Sequence, residues 1–252
     1  MGDSILWVLP FLGMLGGFLS GLLGLGGGVI MLPLLMLVGK VPLKLATGTT
    51  LAQVFIAATT GMLFHHRAGM VDLKAGLLMG IAGVVGGFIG SFLSVPLSPQ
   101  FLQFLFLLIV GLTIILFFIP LNFKEEDYVK GEFNKMLGIA IGIGAGCLAG
   151  LLGVGGGFII IPLMIYVLRI PFRVTIGTSL LIILISSLGT LGAKFSLGQI
   201  NLLATLLVVS GSVVGVYFGA HVSRKIHVKF LRLILLSLLA LIFISMGFKT
   251  VF

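Results

Sequence analysis

The sequence predicts an all-α integral membrane protein with two inverted-topology repeats of five helical segments each. Hydrophobic residues make up 59% of the 252-residue chain, and charged residues only 8%. A water-soluble protein of this size needs a polar exterior, whereas a lipid-facing exterior is apolar. Runs such as Phe101–Pro120 and Phe230–Phe248 are nearly free of charge. Each has about the 20 residues that one bilayer crossing requires.

An internal repeat divides the chain in two. One segment reads GFLSGLLGLGGGVIMLPLLMLVGKVPLKLATGTT from Gly17 to Thr50. It recurs as GCLAGLLGVGGGFIIIPLMIYVLRIPFRVTIGTS from Gly146 to Ser179, at a constant offset of 129 (146 − 17 = 129). The repeat predicts one membrane unit at 1–121 and a second at 136–252. The polar stretch between them, 122–135, is predicted to be a cytoplasmic linker.

Each repeat is predicted to open with two short helical segments that a glycine run separates. In the first repeat these segments are Ile5–Leu23 and Val29–Val38, and the second of them ends before Pro42. Three adjacent glycines are poor helix formers, so they mark a break. Full-length spans follow at Leu43–Phe64, Leu73–Val95 and Phe101–Ile119. The counterparts in the second repeat are Lys135–Leu152, Phe158–Leu168, Phe172–Ala193, Leu202–Val222 and Phe230–Phe248.

Basic residues concentrate in alternate loops, which predicts the orientation of the chain. If each opening pair of segments enters and returns at one face, the positive-inside rule assigns most basic residues to the cytoplasm. These are Arg67, Lys74, Lys124, Lys130, Lys135, Arg169, Arg173, Arg224, Lys225, Lys229 and Arg232. The residues assigned to the outside are Lys40, Lys44, Lys194 and Lys249. The repeats are then inserted in opposite directions into a prokaryotic inner membrane, with both termini outside. The same distribution accounts for the net charge of +9 without nucleic acid as a partner.

The glycine runs are the first candidate site for chemistry. The segment after each break begins with free backbone N–H groups, a partially positive end that suits an anion. Two such ends from inverted halves are expected to converge near the middle of the membrane. The alternative is that the glycines only let helices cross closely. The residues of this candidate site are Gly26, Gly27, Gly28, Gly155, Gly156 and Gly157.

Hydroxyl groups and one lysine complete the candidate substrate site. Thr49 and Thr50, near Gln53, are matched in the second repeat by Thr178 and Ser179. Their hydroxyls donate to an oxyanion, or alternatively bond back to a carbonyl one turn earlier in the same helix. Lys194 stands on the face with few charges, where it is expected to draw an anion towards a mouth.

Several functions lack the residues they need. All six acids lie in predicted loops or at helix ends, so no carboxylate sits within a span to serve as a proton relay. The sequence contains no phosphate-binding GxxxxGK loop, no metal-ligand cluster and no nucleophile–base motif. We therefore predict a protein that is not an enzyme and needs no cofactor or metal. The single cysteine, Cys147, is interpreted as a small packing residue.

The paired motifs GLLGLGGG-x₄-P and GLLGVGGG-x₄-P, each followed by Gly-Thr-Thr or Gly-Thr-Ser, resemble the sulfite exporter TauE/SafE family, also called TSUP. The stretches Ala193-Lys194-Phe195 and Gly198-Gln199-Ile200-Asn201 are also similar to the second half of that family. The resemblance covers nearly the whole chain except the linker and the extreme ends. It implies transport of sulfite, sulfonates such as sulfoacetate, or thiosulfate. It also implies an anion site at the glycine runs and the Gly-Thr steps. The first repeat has His65 at the position of Lys194, so a symmetric cationic pair is not implied.

The leading hypothesis is a secondary transporter of small sulfur-containing anions that works by alternating access at a site between the repeats. A membrane-embedded scaffold or accessory subunit and a passive anion channel are the alternatives. If transport is coupled to an ion gradient, the expected coupling ion is H⁺ or Na⁺. Because no span contains an acid, coupling to protons would need His65, His66 or protonation of the substrate itself.

Overall fold

A computed structural model describes residues 3–39, 41–119 and 128–251, with side chains described between Trp7 and Gly247. Within these ranges the chain forms ten α-helices and no β-strand. The helices are α1 (Asp3–Leu23), α2 (Gly28–Leu37), α3 (Leu43–Arg67), α4 (Leu73–Leu93), α5 (Pro99–Phe118), α6 (Lys135–Leu152), α7 (Gly157–Tyr166), α8 (Phe172–Ser196), α9 (Leu202–Lys225) and α10 (Val228–Val251).

The ten predicted helical segments are confirmed, and only their ends move. The largest shifts are extensions, as in α3, which continues past Phe64 to Arg67. Residues at equivalent positions of the two repeats cap the equivalent helices α4 and α9. The Asp72 side chain accepts a hydrogen bond from Ala75 N at the start of α4, and the Asn201 side chain accepts one from Ala204 N at the start of α9. Lys40 and Lys124, which the charge pattern assigns to opposite faces, lie outside the described residues.

Six helices in the described chain are long and apolar enough to cross a membrane: α4, α5, α6, α8, α9 and α10. Helix α3 has 25 residues but a low mean hydropathy, because it carries several threonines and Gln53. Those side chains are mostly buried inside the protein, where neighbouring helices rather than lipid surround them. Large apolar side chains on the outer helices are exposed, as lipid contact requires.

The two halves interlock through glycine-lined helix pairs. Helices α1 and α9 run parallel, because Gly13 faces the carbonyl of Val208 and Gly17 faces that of Ser212. Helices α6 and α4 are the repeat equivalents of α1 and α9 and form the same contacts. Gly142 faces the carbonyl of Met79, and Gly146 faces that of Gly83. Small residues at every fourth position allow such close backbone approach between membrane helices. The first helix of each repeat therefore packs on the fourth helix of the other.

Helices α3 and α8 hold equivalent places in the repeats and run antiparallel through the centre. Gly48, near the start of α3, faces the Gln199 carbonyl beyond the end of α8. Gly177, near the start of α8, faces the Met70 carbonyl beyond the end of α3. An antiparallel central pair means that features at matching positions of the two helices lie on opposite sides of the protein's middle.

The loops gather at two ends of the helix bundle. The linker end contains the loops at 68–72, 128–134, 167–171 and 226–227, and the opposite end contains those at 41–42, 94–98 and 197–201. Hydrogen bonds join loops at each end, for example from Arg173 to the Ile226 carbonyl and from Lys44 to the Val95 carbonyl. The basic residues at the linker end are Arg67, Lys74, Lys130, Lys135, Arg169, Arg173, Arg224, Lys225, Lys229 and Arg232.

The described part of the linker is fastened to the first repeat by Asp72. This carboxylate is 1% exposed and accepts hydrogen bonds from Tyr128 Oη at 2.5 Å and from Gly131 N at 2.6 Å. Its backbone N–H donates to Thr178 Oγ1 of the second repeat at 2.9 Å. Asp72 thus connects both repeats and the linker, whose predicted boundaries at 122–135 remain a prediction.

We expect Tyr128→Phe to loosen this connection, because a buried carboxylate would lose a charge-assisted hydrogen bond worth about 2 kcal/mol. Burial raises the pKa of Tyr128 far above its usual range, and the hydrogen bond to Asp72 raises it further. The phenol therefore donates at all physiological pH values, and its contribution to stability fades only above an alkaline pH of about 10. Trypsin cleavage after Lys130 should become faster, and the unfolding temperature in detergent should fall by several degrees.

Tyr217→Phe is the matched control for this prediction. Tyr217 is 52% exposed, and its ring contacts Phe64 and Phe218 without a hydrogen bond from its hydroxyl in the described chain. Equal cleavage rates for the two variants would contradict a role for Tyr128 in holding the linker.

Candidate functional site

Two glycine loops turn the chain between the helices of each opening pair. Gly24, Gly26 and Gly27 have φ angles of 75°, 73° and 80° between α1 and α2. Between α6 and α7 the equivalent glycines, Gly153, Gly155 and Gly156, have φ angles of 72°, 78° and 70°. Residues with a Cβ atom adopt this left-handed conformation only at an energetic cost, so the glycines allow the chain to turn in both loops. The break predicted at each glycine run is therefore present.

The two loops cross each other inside the protein. A Cβ atom placed on Gly28 would lie 2.3 Å from the Val154 carbonyl oxygen, and one on Gly157 would lie 2.6 Å from that of Leu25. The first residues of α2 and α7 thus touch the opposite loop, which brings two helix N-termini together. Helix N-termini carry unpaired N–H groups and a partial positive charge. We call this contact the glycine crossing.

Apolar side chains from the central helices cover the glycine crossing. A Cβ atom on Gly26 would lie 3.1 Å from Val54 of α3 and 3.2 Å from Ile183 of α8. A Cβ atom on Gly155 would lie 2.5 Å from Val54 as well. The loop residues of both repeats are fully buried. The crossing is therefore closed from both ends of the bundle in this conformation.

The four predicted hydroxyl groups do not meet in one place. Thr50 lies four residues before Val54, and Ser179 lies four residues before Ile183. Four residues span about 6 Å along a helix axis. Because α3 and α8 are antiparallel, Thr49 and Thr50 lie on the side of the opposite end. Thr178 and Ser179 lie on the side of the linker end.

The two hydroxyl pairs also differ in their partners. Thr178 accepts a hydrogen bond from Asp72 N, and Ser179 donates to the Gly24 carbonyl at 2.8 Å. The hydroxyls of Thr49 and Thr50 are buried without a partner in the described chain. Buried polar atoms without partners are rare and call for an explanation. In the first repeat these hydroxyls are therefore available to hydrogen-bond a ligand, whereas in the second repeat they already bond to the protein backbone.

Gln53 is a buried polar residue at the first glycine loop. Its Nε2 atom donates to Ser212 Oγ at 2.9 Å and lies 3.0 Å from the Cβ position of Gly27. Its Oε1 atom has no partner among the described residues. The positions equivalent to Gln53 and Ser212 in the other half are Ile182 and Gly83 (53 + 129 = 182; 212 − 129 = 83), so only the first loop has this polar side chain. The sequence places Gln53 near the threonines, but its contact with Gly27 depends on the fold.

Lys194 lies away from the glycine crossing. It follows Ile183 by eleven residues along α8, which is about 16 Å towards the opposite end. Its Nζ atom donates to Ser94 Oγ at 2.8 Å and to Gln199 Oε1 at 3.0 Å. The equivalent residue, His65, has Nε2 at 3.0 Å from the Gly21 carbonyl. The structure therefore separates Lys194 from the glycines with which it was grouped as a substrate site.

Among the described residues, no group of three or more His, Cys, Asp or Glu side chains is placed to hold a metal ion. The buried polar groups near the crossing are hydroxyls and one amide. These groups are suited to binding by hydrogen bonds.

Paired repeats, broken helices that meet in the interior and a largely apolar exterior define a membrane transport protein. Comparison with known proteins supports this class, since the model of the family described as "Sulfite exporter TauE/SafE" matches residues 9–246 of this chain. The chain belongs to the sulfite exporter TauE/SafE family and is a membrane transporter.

Relatives that align with this chain over most of their own length are named as probable membrane transporter proteins. The chain is 28% identical to "Probable membrane transporter protein YunE" of Bacillus subtilis, over 97% of this chain and 98% of the relative. It is 31% identical to "Probable membrane transporter protein YdhB" of the same organism, over 81% and 84% of the two chains. A probable membrane transporter protein of Methanocaldococcus jannaschii is 28% identical over 94% of each chain. No solved structure matches this chain.

Proposed function

We propose that this transporter carries a small sulfur-containing oxyanion through a site at the glycine crossing. Sulfite, a sulfonate such as sulfoacetate, and thiosulfate are the candidate substrates. The observation that carries the proposal is the contact of Gly28 with Val154 and of Gly157 with Leu25, which joins two helix N-termini in the interior. The family description supplies the sulfur chemistry.

The groups around the crossing favour an anion over a cation. Helix N-termini provide N–H donors and partial positive charge. The hydroxyls of Thr49 and Thr50 add donors on one side, as does the N–H of the Gln53 amide that is not used in the bond to Ser212 Oγ. Asp72 and Glu132, the acids whose side chains are described, lie at the linker end. An anion at the crossing would therefore meet donors without a competing carboxylate.

Alternating access is the mechanism that this arrangement favours. The crossing is buried from both ends, so a substrate reaches it only when the protein changes shape. Two glycine-packed pairs, α1 with α9 and α4 with α6, are candidates for rigid units because their backbones are in direct contact. We propose that these pairs rock against α3 and α8, which opens the crossing first to one end and then to the other.

We propose that the linker end faces the cytoplasm of a prokaryotic cell. Most of the described basic residues are at that end, as the positive-inside rule expects of a cytoplasmic face. Since α3 and α8 run in opposite directions, the repeats would then have opposite orientations in the inner membrane. Both termini would lie outside. Labelling of a cysteine placed at Thr250 or at Lys130 in a Cys147→Ser background tests this in intact cells, with the first accessible and the second protected.

Uptake by proteoliposomes tests the proposed substrate class. Purified protein is reconstituted, and uptake of radiolabelled sulfite, thiosulfate and sulfoacetate is followed with sulfate and taurine as competitors. We expect saturable uptake of at least one anion, because a carrier with one site per cycle saturates. Imposed gradients of pH and of Na⁺ identify the coupling ion.

Two outcomes would replace this proposal. Flux that rises linearly with concentration would indicate a passive channel. The absence of uptake under either gradient would indicate a substrate outside the sulfur oxyanions, or a scaffold role in which the glycines serve only close packing.

A further inference from the structure

Lys194 has an ammonium group in an unusual setting. Its side chain is only 2% exposed, although it belongs to one of the helices that are long enough to cross the membrane. The partners of its Nζ atom are Ser94 Oγ and Gln199 Oε1, which are both neutral. The Ser94 hydroxyl in turn donates to the Ser91 carbonyl at 2.6 Å, which fixes it as an acceptor towards Lys194.

No described acid balances this charge. Asp72 lies at the far end of α4 from Ser94, about 33 Å away along the helix. Glu132 belongs to the linker end. A buried charge is costly unless an opposite charge accompanies it, and lysines inside membrane proteins mark ligand or ion sites by default. The surroundings of Lys194 therefore lack a negative charge, which a ligand would supply.

A second lysine adds to the positive charge. Lys44 Nζ donates to the carbonyl of Val95, and Lys194 Nζ donates to the neighbouring residue Ser94, so the two ammonium groups lie at the same end of α4. Lys44 also lines an open depression at the opposite end, together with Pro42, Pro99 and Gln103. The two ammonium groups repel each other, and an anion between them would turn that repulsion into attraction. The depression provides a path from solvent to Lys44.

Helix capping explains Lys44 but not Lys194. The repeat partner of Lys44 is Arg173, which donates to the carbonyls of Arg224 and Ile226 at the end of α9. Cationic side chains at a helix C-terminus commonly serve this purpose. Among the described residues the Lys194 ammonium group bonds only to side chains, whereas its counterpart His65 contacts the backbone carbonyl of Gly21. The asymmetry between the repeats is therefore specific to Lys194.

We propose that Lys194, Lys44 and Gln199 form a second anion-binding site at the opposite end, with Ser94 holding the Lys194 ammonium in place. The ligand is a small oxyanion whose charge pairs with the two ammonium groups, and the Gln199 amide nitrogen is a further donor. The site lies about 16 Å from the glycine crossing along α8. It would hold an anion that exchanges with water on that side before or after passage through the crossing.

Equilibrium binding to the purified full-length protein tests this site. Sulfite and sulfate are the probes, and binding is measured by titration calorimetry in detergent. The background is Gln53→Leu, which removes the amide at the crossing and weakens binding there, so that a larger share of the remaining binding reports on Lys194. We expect Lys194→Gln to weaken this binding by about tenfold or more, since a charge-assisted bond is lost. Lys44→Gln should weaken it severalfold, and Lys194→Arg should retain part of it.

Arg173→Gln is the matched control, because it removes the capping residue equivalent to Lys44 from the other repeat and should leave binding unchanged. Lys44 is exposed, so Lys44→Gln gives a decisive result even if Lys194→Gln does not fold. Equal affinity in Lys44→Gln, Lys194→Gln and the parent protein would overturn the proposal, as would the absence of binding in the parent. Binding that persists in a protein without sulfite uptake would separate this site from the proposed function.

Discussion

Gly28→Ala and Gly157→Ala are expected to reduce anion uptake to the background of empty liposomes. The new Cβ atom would lie 2.3 Å from the Val154 carbonyl oxygen in the first variant and 2.6 Å from that of Leu25 in the second. Backbone atoms of the opposite loop cannot move away as a flexible side chain can, so the two loops must separate. Overpacking of this kind costs about 1–3 kcal/mol of stability and displaces the N–H groups that are proposed to bind the anion.

A milder variant separates loss of transport from loss of folding. A Cβ atom on Gly156 would lie 3.0 Å from the Ala145 carbonyl oxygen, and its left-handed conformation would cost alanine roughly 1–2 kcal/mol. We expect Gly156→Ala to elute as a monodisperse protein with normal helix content and to transport about tenfold more slowly. Gly144→Ala is the control, because nothing lies within 4 Å of the added atom.

Wild-type uptake in folded Gly28→Ala would contradict the proposed site. Equal losses in Gly144→Ala and Gly156→Ala would mean that the membrane helices tolerate no added atoms at all. The first pattern is incompatible with a substrate that binds at the crossing, and the second would show that the loss in Gly156→Ala is not specific to the glycine loop.

Gln53→Leu is expected to lower the rate of uptake by ten- to a hundredfold, which corresponds to about 1.4–2.7 kcal/mol in the free energy of the limiting step. Leucine removes the amide beside Gly27 and leaves the Ser212 hydroxyl without its donor. Initial rates over a range of substrate concentrations are the measurement. If the amide binds the anion equally in the ground state and the transition state, KM rises while kcat is kept.

Two further variants separate binding from packing at this position. Ile182→Leu alters the equivalent buried position of the second repeat without a polar group, and it should leave transport unchanged. Ser212→Ala removes the hydrogen-bond partner but keeps the amide, so we expect lower thermal stability with most transport retained. Similar kinetics for Gln53→Leu and Ile182→Leu would show that Gln53 has no special role.

Local sequence features were sufficient to predict the ten helices of the described chain. Apolar runs, the glycines after Leu23 and Leu152, and the prolines before Leu43 and Phe172 set where helices end, because these effects act within a turn or two. Helix α3 is less apolar than the membrane-spanning helices, and most of its threonines and Gln53 face protein rather than lipid. Hydropathy alone gives no indication of which neighbours surround a span.

The candidate site was predictable only in part. The glycine breaks follow from composition, and their doubling indicated that two helix N-termini would meet. The importance of Asp72 and Gln53 was not predictable, because each depends on contacts with residues more than fifty positions away in the chain. Such contacts arise from the packing of whole helices and leave no local signal.

The sequence by itself determined that this protein lies in a membrane, that it is built from two copies of one unit, and that each copy has a broken helix. Only the tertiary structure decided that the glycine loops touch while the hydroxyl pairs lie on opposite sides of them. It also decided that Lys194 is buried, far from the crossing and with neither of the two described acids beside it. The physical reason is that α3 and α8 pack antiparallel, so residues at matching places in the repeats point towards opposite ends of the bundle.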